Sequence, residues 1–184
     1  MSGRRVLVAG IGNVFLGDDG FGVEVVRRLD AAAIPADVDV ADFGIRGVHL
    51  AYELLCDRYH TLVLVDAVPL DAEPGTIAVL DATSRLHDTS LEEHAQGVVD
   101  AHSMSPDVVL TALHRLGGDI DRVLVVGCQP GTLAPQMGLS PAVENAVDEA
   151  VDLLTDLLTD LLTEHLTTDF TIDTVTSSTG RSAP

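Results

Sequence analysis

Three short runs of Val and Leu constrain this chain more than any other feature. They are Arg5–Gly10 (RVLVAG), Leu62–Asp66 (LVLVD) and Arg122–Gly127 (RVLVVG). Each is rich in β-branched residues, and the first and third end in Gly. Such runs carry the signal of strands buried in a parallel sheet. Val38–Asp42 (VDVAD) alternates and reads as a further strand. Thr76–Leu80 (TIAVL) is another, preceded by a Glu73-Pro74-Gly75 turn.

Helical patterns lie between these runs. GFGVEVVRRLDAA follows the acids at 18 and 19 with apolar residues at helical spacing. VHLAYELLCDRY follows Gly44 and Gly47. Ser105-Pro106-Asp107 opens VVLTALHRL with a capping candidate and an early Pro, and Gly117-Gly118 ends it. Ser140-Pro141 opens a last helix by the same logic. It runs into DLLTDLLTDLLTEHL, an acidic stripe beside Leu pairs, fit to pack on the body or on a partner. Strands alternating with helices imply a three-layer α/β/α sandwich with a mostly parallel five-stranded twisted sheet. The expected organisation is one domain over residues 1–166, of which 150–166 are an acidic helical extension. A Thr/Ser-rich disordered tail is expected over 167–184. Residues 83–101, with His87 and His94, read as a polar, mobile loop.

Composition excludes several functions. The net charge of −19 repels phosphate backbones and anionic lipids, so neither nucleic acid nor a membrane is an expected partner. No run of about 20 apolar residues is present to span a bilayer, and no signal peptide is read at the N-terminus. Two cysteines, Cys56 and Cys128, make no disulfide framework. They fit a reducing, cytoplasmic compartment with both thiols buried.

In open α/β sheets, ligands sit at the carboxyl ends of strands, and the polar residues there come next. GIGNVFLGDDGFG has Phe15 where a dinucleotide fingerprint from Gly10 needs Gly, and no Gly-Lys-Ser/Thr follows. Asp18 and Asp19 would repel a phosphate and attract a cation, so this is a tight loop presenting acids. Asp66 ends the LVLVD run, at the sheet edge. His102 precedes the helix starting near Ser105. The remaining histidines go to structure or solvent: His49 and His114 to helices, His60 to a loop, and His87, His94 and His165 to polar segments. Asp19, Asp66 and His102 would meet from three loops on one sheet edge. Two carboxylates and an imidazole form an open set for a borderline divalent metal. No Ser or Cys nucleophile is paired with a base: Cys56 falls in a predicted helix, and Cys128 ends a strand.

Read together, these segments resemble the hydrogenase maturation proteases, the endopeptidases of nickel–iron hydrogenase assembly. GIGNVFLGDDGFGVEVV resembles the family's N-terminal motif and ADFGIRGVHLAYELL its second block. LVLVDAV resembles the third block, and AHSMSPDVVLTAL the His block. VVGCQPGTLAPQMGLSPAVENAV resembles the closing block. The resemblance spans roughly residues 5–150 in the family's order. In the second block, Phe43 stands where Gly is usual and Ile45 where Thr is usual.

The resemblance implies metal binding and catalysis by Asp19, Asp66 and His102, the acid of the first block being the second of its pair. It implies a substrate, the nickel-loaded precursor of a nickel–iron hydrogenase large subunit, from which a C-terminal extension is removed. The nickel would arrive with that precursor. Water activation by the metal and by a carboxylate such as Asp19 both stand as mechanisms. Three rival readings remain. A nucleotide-dependent α/β protein lacks the phosphate-cradling pattern it would need. A non-proteolytic, nickel-dependent assembly chaperone would bind the precursor without cutting it. An inactive family member is opposed by the intact triad.

Overall fold

A computed structural model describes residues 5–29, 33–56, 58–87 and 105–173, the last stretch as backbone alone from 165 onward. Five strands form one sheet: β1 (Arg5–Ile11), β2 (Val38–Gly44), β3 (Tyr59–Ala67), β4 (Ile77–Asp81) and β5 (Arg122–Cys128). Their order is β2-β1-β3-β5-β4, with β4 antiparallel at one edge and all other pairings parallel.

The Val/Leu runs lack polar alternation because β1, β3 and β5 are covered on both faces. Val6, Val8, Val63, Val65, Leu124 and Val126 face one side. There they meet Phe21 and Val25 of α1 (Phe21–Arg28) and Val143, Val147 and Leu154 of α4 (Pro141–Asp173). Leu7, Ala9, Leu62, Leu64, Val123 and Val125 face the other side. There they meet Leu50 and Leu54 of α2 (Gly47–Leu54) and Val109, Leu110 and Leu113 of α3 (Pro106–Arg115). The result is the expected α/β/α sandwich. Each fully buried Val or Leu contributes about 1.5–3 kcal/mol of transfer free energy.

The Leu-Leu-Thr-Asp repeat packs on the body of its own chain. Leu154, Leu158 and Leu161 recur at helical spacing and are buried against the first core, while Asp152, Asp156 and Asp160 stay in solvent. The Thr155, Thr159 and Thr163 hydroxyls each donate to the carbonyl four residues earlier, which reconciles repeated Thr with a continuous helix. The helix backbone runs through Asp173, into the segment expected as a disordered tail; residues 174–184 lie outside the described ones.

Three local expectations are corrected. His60 lies in β3, not a loop; its ring meets the Arg5 carbonyl at 3.1 Å and the Thr61 hydroxyl at 3.2 Å. The apolar run starting at Leu62 conceals this because the strand's first residues are polar. Cys56 is exposed, not buried, and falls just past the end of α2 at Leu54. Residues Thr83–His87 form a 3-10 turn inside the expected polar loop, while 88–101 lie outside the described residues. No described helix is long and apolar enough to cross a membrane.

Candidate active site

The first loop is built around close backbone approaches. Gly12 has φ +126°, and a Cβ there would lie 1.8 Å from the Asp19 carbonyl oxygen. A Cβ on Gly22 would lie 1.9 Å from the Val65 carbonyl oxygen. Glycine at these positions lets the loop fold back on itself and seats α1 on the end of β3. The Gly-rich segment is thereby explained by packing, without a nucleotide.

The two adjacent acids have different partners. Asp18 is fully buried. Its Oδ2 accepts from Gly131 N at 2.8 Å, Thr132 N at 2.9 Å and Ser140 Oγ at 2.9 Å, and its Oδ1 accepts from Ser140 N at 2.6 Å. Burial alone would raise its pKa. The hydrogen bonds from Ser140, Thr132 and Gly131 outweigh that and hold it below the ordinary carboxylate value. Main-chain bonds from Gly17 to Gln136, Asp18 to Thr132 and Gln136 to Phe15 complete a seam between the first loop and residues 131–140. Sequence reasoning missed this clasp, because its halves are more than a hundred positions apart.

Asp19 turns to a cavity of about 940 Å³ at the carboxyl edge of the sheet, which Asp66 also lines. Asp19 is partly buried, and its Oδ2 accepts from Asn13 N at 2.6 Å. Burial pushes its pKa up, opposed by that bond. Asp66, near the end of β3, is 1% exposed, and its Oδ1 has no hydrogen-bond partner among the described residues. Burial raises its pKa well above the ordinary value, and the neighbouring Asp19 charge raises it further, against one bond from Ala67. A buried, unpartnered carboxylate beside a second one is costly unless it takes up a proton or a cation arrives. The donor chemistry therefore fits a metal that enters from outside. Among the described residues no group of three metal-donor side chains forms, and His102 lies outside them.

Other walls of the cavity come from Val79, Leu80 and Asp81 of β4, from Leu133, and from Ser105–Asp107 at the start of α3. Arg85 and Asp107, both cavity-lining, form an ion pair at 2.8 Å that no sequence pattern announced. Phe43 packs partly into the second core, and Ile45 is 49% exposed. The turn between them is held by Arg46, which donates to the carbonyls of Phe43 and Asp42 at 3.1 and 2.6 Å. Gly12 N donates to Gly44 O at 3.0 Å and ties this turn to the acid loop. Cys128 is buried, and burial together with the Asp18 charge pushes its thiol up to about 11, so it is no thiolate nucleophile at neutral pH.

A mostly parallel sheet with paired acids in a cavity at its carboxyl edge has the layout of an α/β enzyme. A family model for hydrogenase maturation protease matches residues 23–157. The hydrogenase 2 maturation protease of Escherichia coli is 32% identical over 143 residues, covering 76% of this chain and 82% of that protein. The crystal structure of hydrogenase 2 maturation peptidase from a Thaumarchaeota archaeon is 34% identical with a TM-score of 0.62, covering 84% of this chain and 98% of that one. The hydrogenase maturating endopeptidase HybD from Escherichia coli superposes with a TM-score of 0.65 at 27% identity, covering 85% of this chain and 93% of that one. This chain belongs to the hydrogenase maturation protease family, and its chemistry is the hydrolysis of a peptide bond.

Proposed function

We propose that this endopeptidase removes a C-terminal extension from the nickel-loaded large-subunit precursor of a nickel–iron hydrogenase, with Asp19, Asp66 and His102 completing the coordination of the precursor's nickel. The observation that carries this reading is the unpartnered oxygen of buried Asp66, in the cavity that Asp19 shares. Asp18 is committed to four hydrogen bonds and is left out of the set. A cytoplasmic location goes with this reading.

The mechanism follows from that arrangement. Nickel accepts carboxylate and imidazole ligands alongside the thiolates of the substrate. Docking through the metal holds one peptide bond beside the acids and turns a bimolecular encounter into a local one. Water adds to the scissile carbonyl carbon, the C–N bond breaks, and the leaving amine takes a proton. A substrate-borne metal polarises the carbonyl or acidifies the water. A carboxylate oxygen of Asp19 outside the coordination set accepts the water proton and passes it to the leaving amine.

The test is intact mass of the precursor after incubation with this chain, with and without nickel. Loss of a C-terminal peptide only from the nickel-loaded sample is the expected result. Stable binding without a mass change would assign the chain to assembly chaperoning instead.

A further inference from the structure

The two loops that enclose the acids present apolar side chains to water. In the order β2-β1-β3-β5-β4, the carboxyl ends of β1 and β5 flank the end of β3, each about 4.8 Å from it. The loops that follow them therefore stand on either side of Asp66. Their main chains meet: Gly17 N donates to Gln136 O at 2.9 Å, and Gln136 N donates to Phe15 O at 3.1 Å. This seam displays Phe15, Leu133 and Met137, which are 62%, 54% and 76% exposed. Leu133 also lines the cavity, as does Leu16 next to Phe15. Phe15 belongs to the same loop that Asp19 closes by accepting from Asn13 N at 2.6 Å.

Charge is withheld from this seam. In a chain of net charge −19, residues 9–17 and 123–143 contain no charged side chain. The amino ends of the sheet are charged instead, with ion pairs Arg5–Asp39, Arg58–Glu53 and Arg122–Glu164 at 2.7 Å each. Clustered apolar exposure from which charge is removed is the composition of an interface core. Repulsion between two chains of the same large charge opposes a second copy as the occupant. The chain's own C-terminal residues leave from the other edge, since α4 starts beside the seam at Pro141 and by Glu164 has reached Arg122 at the start of β5.

We propose that Phe15, Leu133 and Met137 are the surface on which the body of the precursor settles while its C-terminal segment enters the cavity. The proposal rests on the processing reading above and adds to it where the rest of the substrate is held. The occupant follows from the size of the site. A cavity of about 940 Å³ takes a drug-sized ligand, equivalent to a few residues of peptide. A protein substrate therefore meets the rim as well as the acids, and the seam is the part of the rim that joins the Asp19 loop to the cavity wall. Removing its Phe and Met from water supplies affinity remote from the bond that is cut.

The double variant F15A/M137A separates this role from structure. It removes two exposed side chains and keeps the main-chain bonds of the seam, so the melting temperature should not move. In the nickel-loaded precursor assay, it is expected to lower kcat/KM about tenfold, mainly through KM, the scale of a lost interface hot spot. Leu116→Ala is the control and should keep full activity: Leu116 is exposed too, but lies past the end of α3 that is far from the cavity. Should F15A/M137A unfold, hydroxyl-radical labelling of the wild-type chain mixed with excess nickel-loaded precursor gives the answer. Phe15 and Met137 should lose labelling, and Leu116 should not. A folded F15A/M137A at full kcat/KM, a loss confined to kcat, or unchanged labelling of Met137 during cleavage overturns the docking surface and leaves the processing reading standing. A free protein that sediments as a dimer, and that F15A/M137A converts to monomer, would give the surface to a second copy instead. Protection of Met137 without cleavage keeps the docking surface and assigns the chain to assembly chaperoning. Neither cleavage nor protection removes both readings together.

Discussion

Asp18 and Asp66 are both removed from solvent, at 0% and 1% exposure, yet their surroundings differ in kind. Asp18 receives hydrogen bonds on both oxygens from residues 131, 132 and 140, and its charge is welcome. Asp66 receives one main-chain bond, faces another carboxylate and keeps one oxygen unpartnered. Equal solvent exposure thus goes with opposite pKa directions, because Asp66 lies deeper in the protein and has fewer donors aimed at it. Solvent exposure alone does not tell a structural carboxylate from a working one; the count of donors aimed at it does.

Substitution sharpens this contrast. Asp66→Asn is isosteric and should leave the fold intact while reducing precursor processing by about a hundredfold or more, as for loss of a group acting at the reacting centre; intact-mass kinetics give the number. If D66N retains wild-type kcat/KM, Asp66 is only a buried acid. Asp18→Asn should do the reverse. It turns an acceptor toward three main-chain donors into a partial donor, at a cost on the order of 3 kcal/mol in urea unfolding. Residual folded D18N should still cleave.

The pH dependence separates the pair again. Asp18 has a lowered folded-state pKa, so its stabilisation is present above the unfolded value and is lost as pH falls through the folded one. Asp66 has a raised folded-state pKa, so its favourable contribution is present below the unfolded value and is lost as pH rises through the folded one. Melting temperatures against pH should therefore show D66N matching the wild type in acid and exceeding it near neutrality. D18N should lag most near neutrality and converge with the wild type in strong acid. Parallel curves for both variants would break the comparison.

A smaller effect is expected at the surface. Arg28 of α1 joins Glu24, Glu144 and Asp148, linking α1 to α4 in solvent. Arg28→Ala should cost about 1 kcal/mol or less in the same unfolding assay, with processing unchanged.

Much of this was legible in the chain itself. The Val/Leu runs located the central strands because a strand covered on both faces has no room for polar residues. The Ser-Pro and Gly-Gly signals bounded α3 and opened α4. Asp66 stood out as the acid closing an apolar run. What was not legible depends on distance along the chain. Nothing near Asp18 announces Gly131, Thr132 and Ser140 as its partners. His60 was misplaced because β3 begins with the polar residues Tyr59–Thr61, covered by the neighbouring β1. Cys56 was expected inside because two thiols without a disulfide framework fit a reducing compartment; it lies exposed just past Leu54, where α2 stops.

The Asp18 clasp also orders events in time. The acid loop near the N-terminus reaches its final form only against residues 131–140, which the ribosome adds more than a hundred positions later. A nascent chain still short of Ser140 holds Asp18 as a charge without donors, and Asp19 in a loop without its opposite wall. The cavity that Asp19 and Asp66 line therefore gains its Leu133 wall only after those residues are made, as the domain closes as a unit.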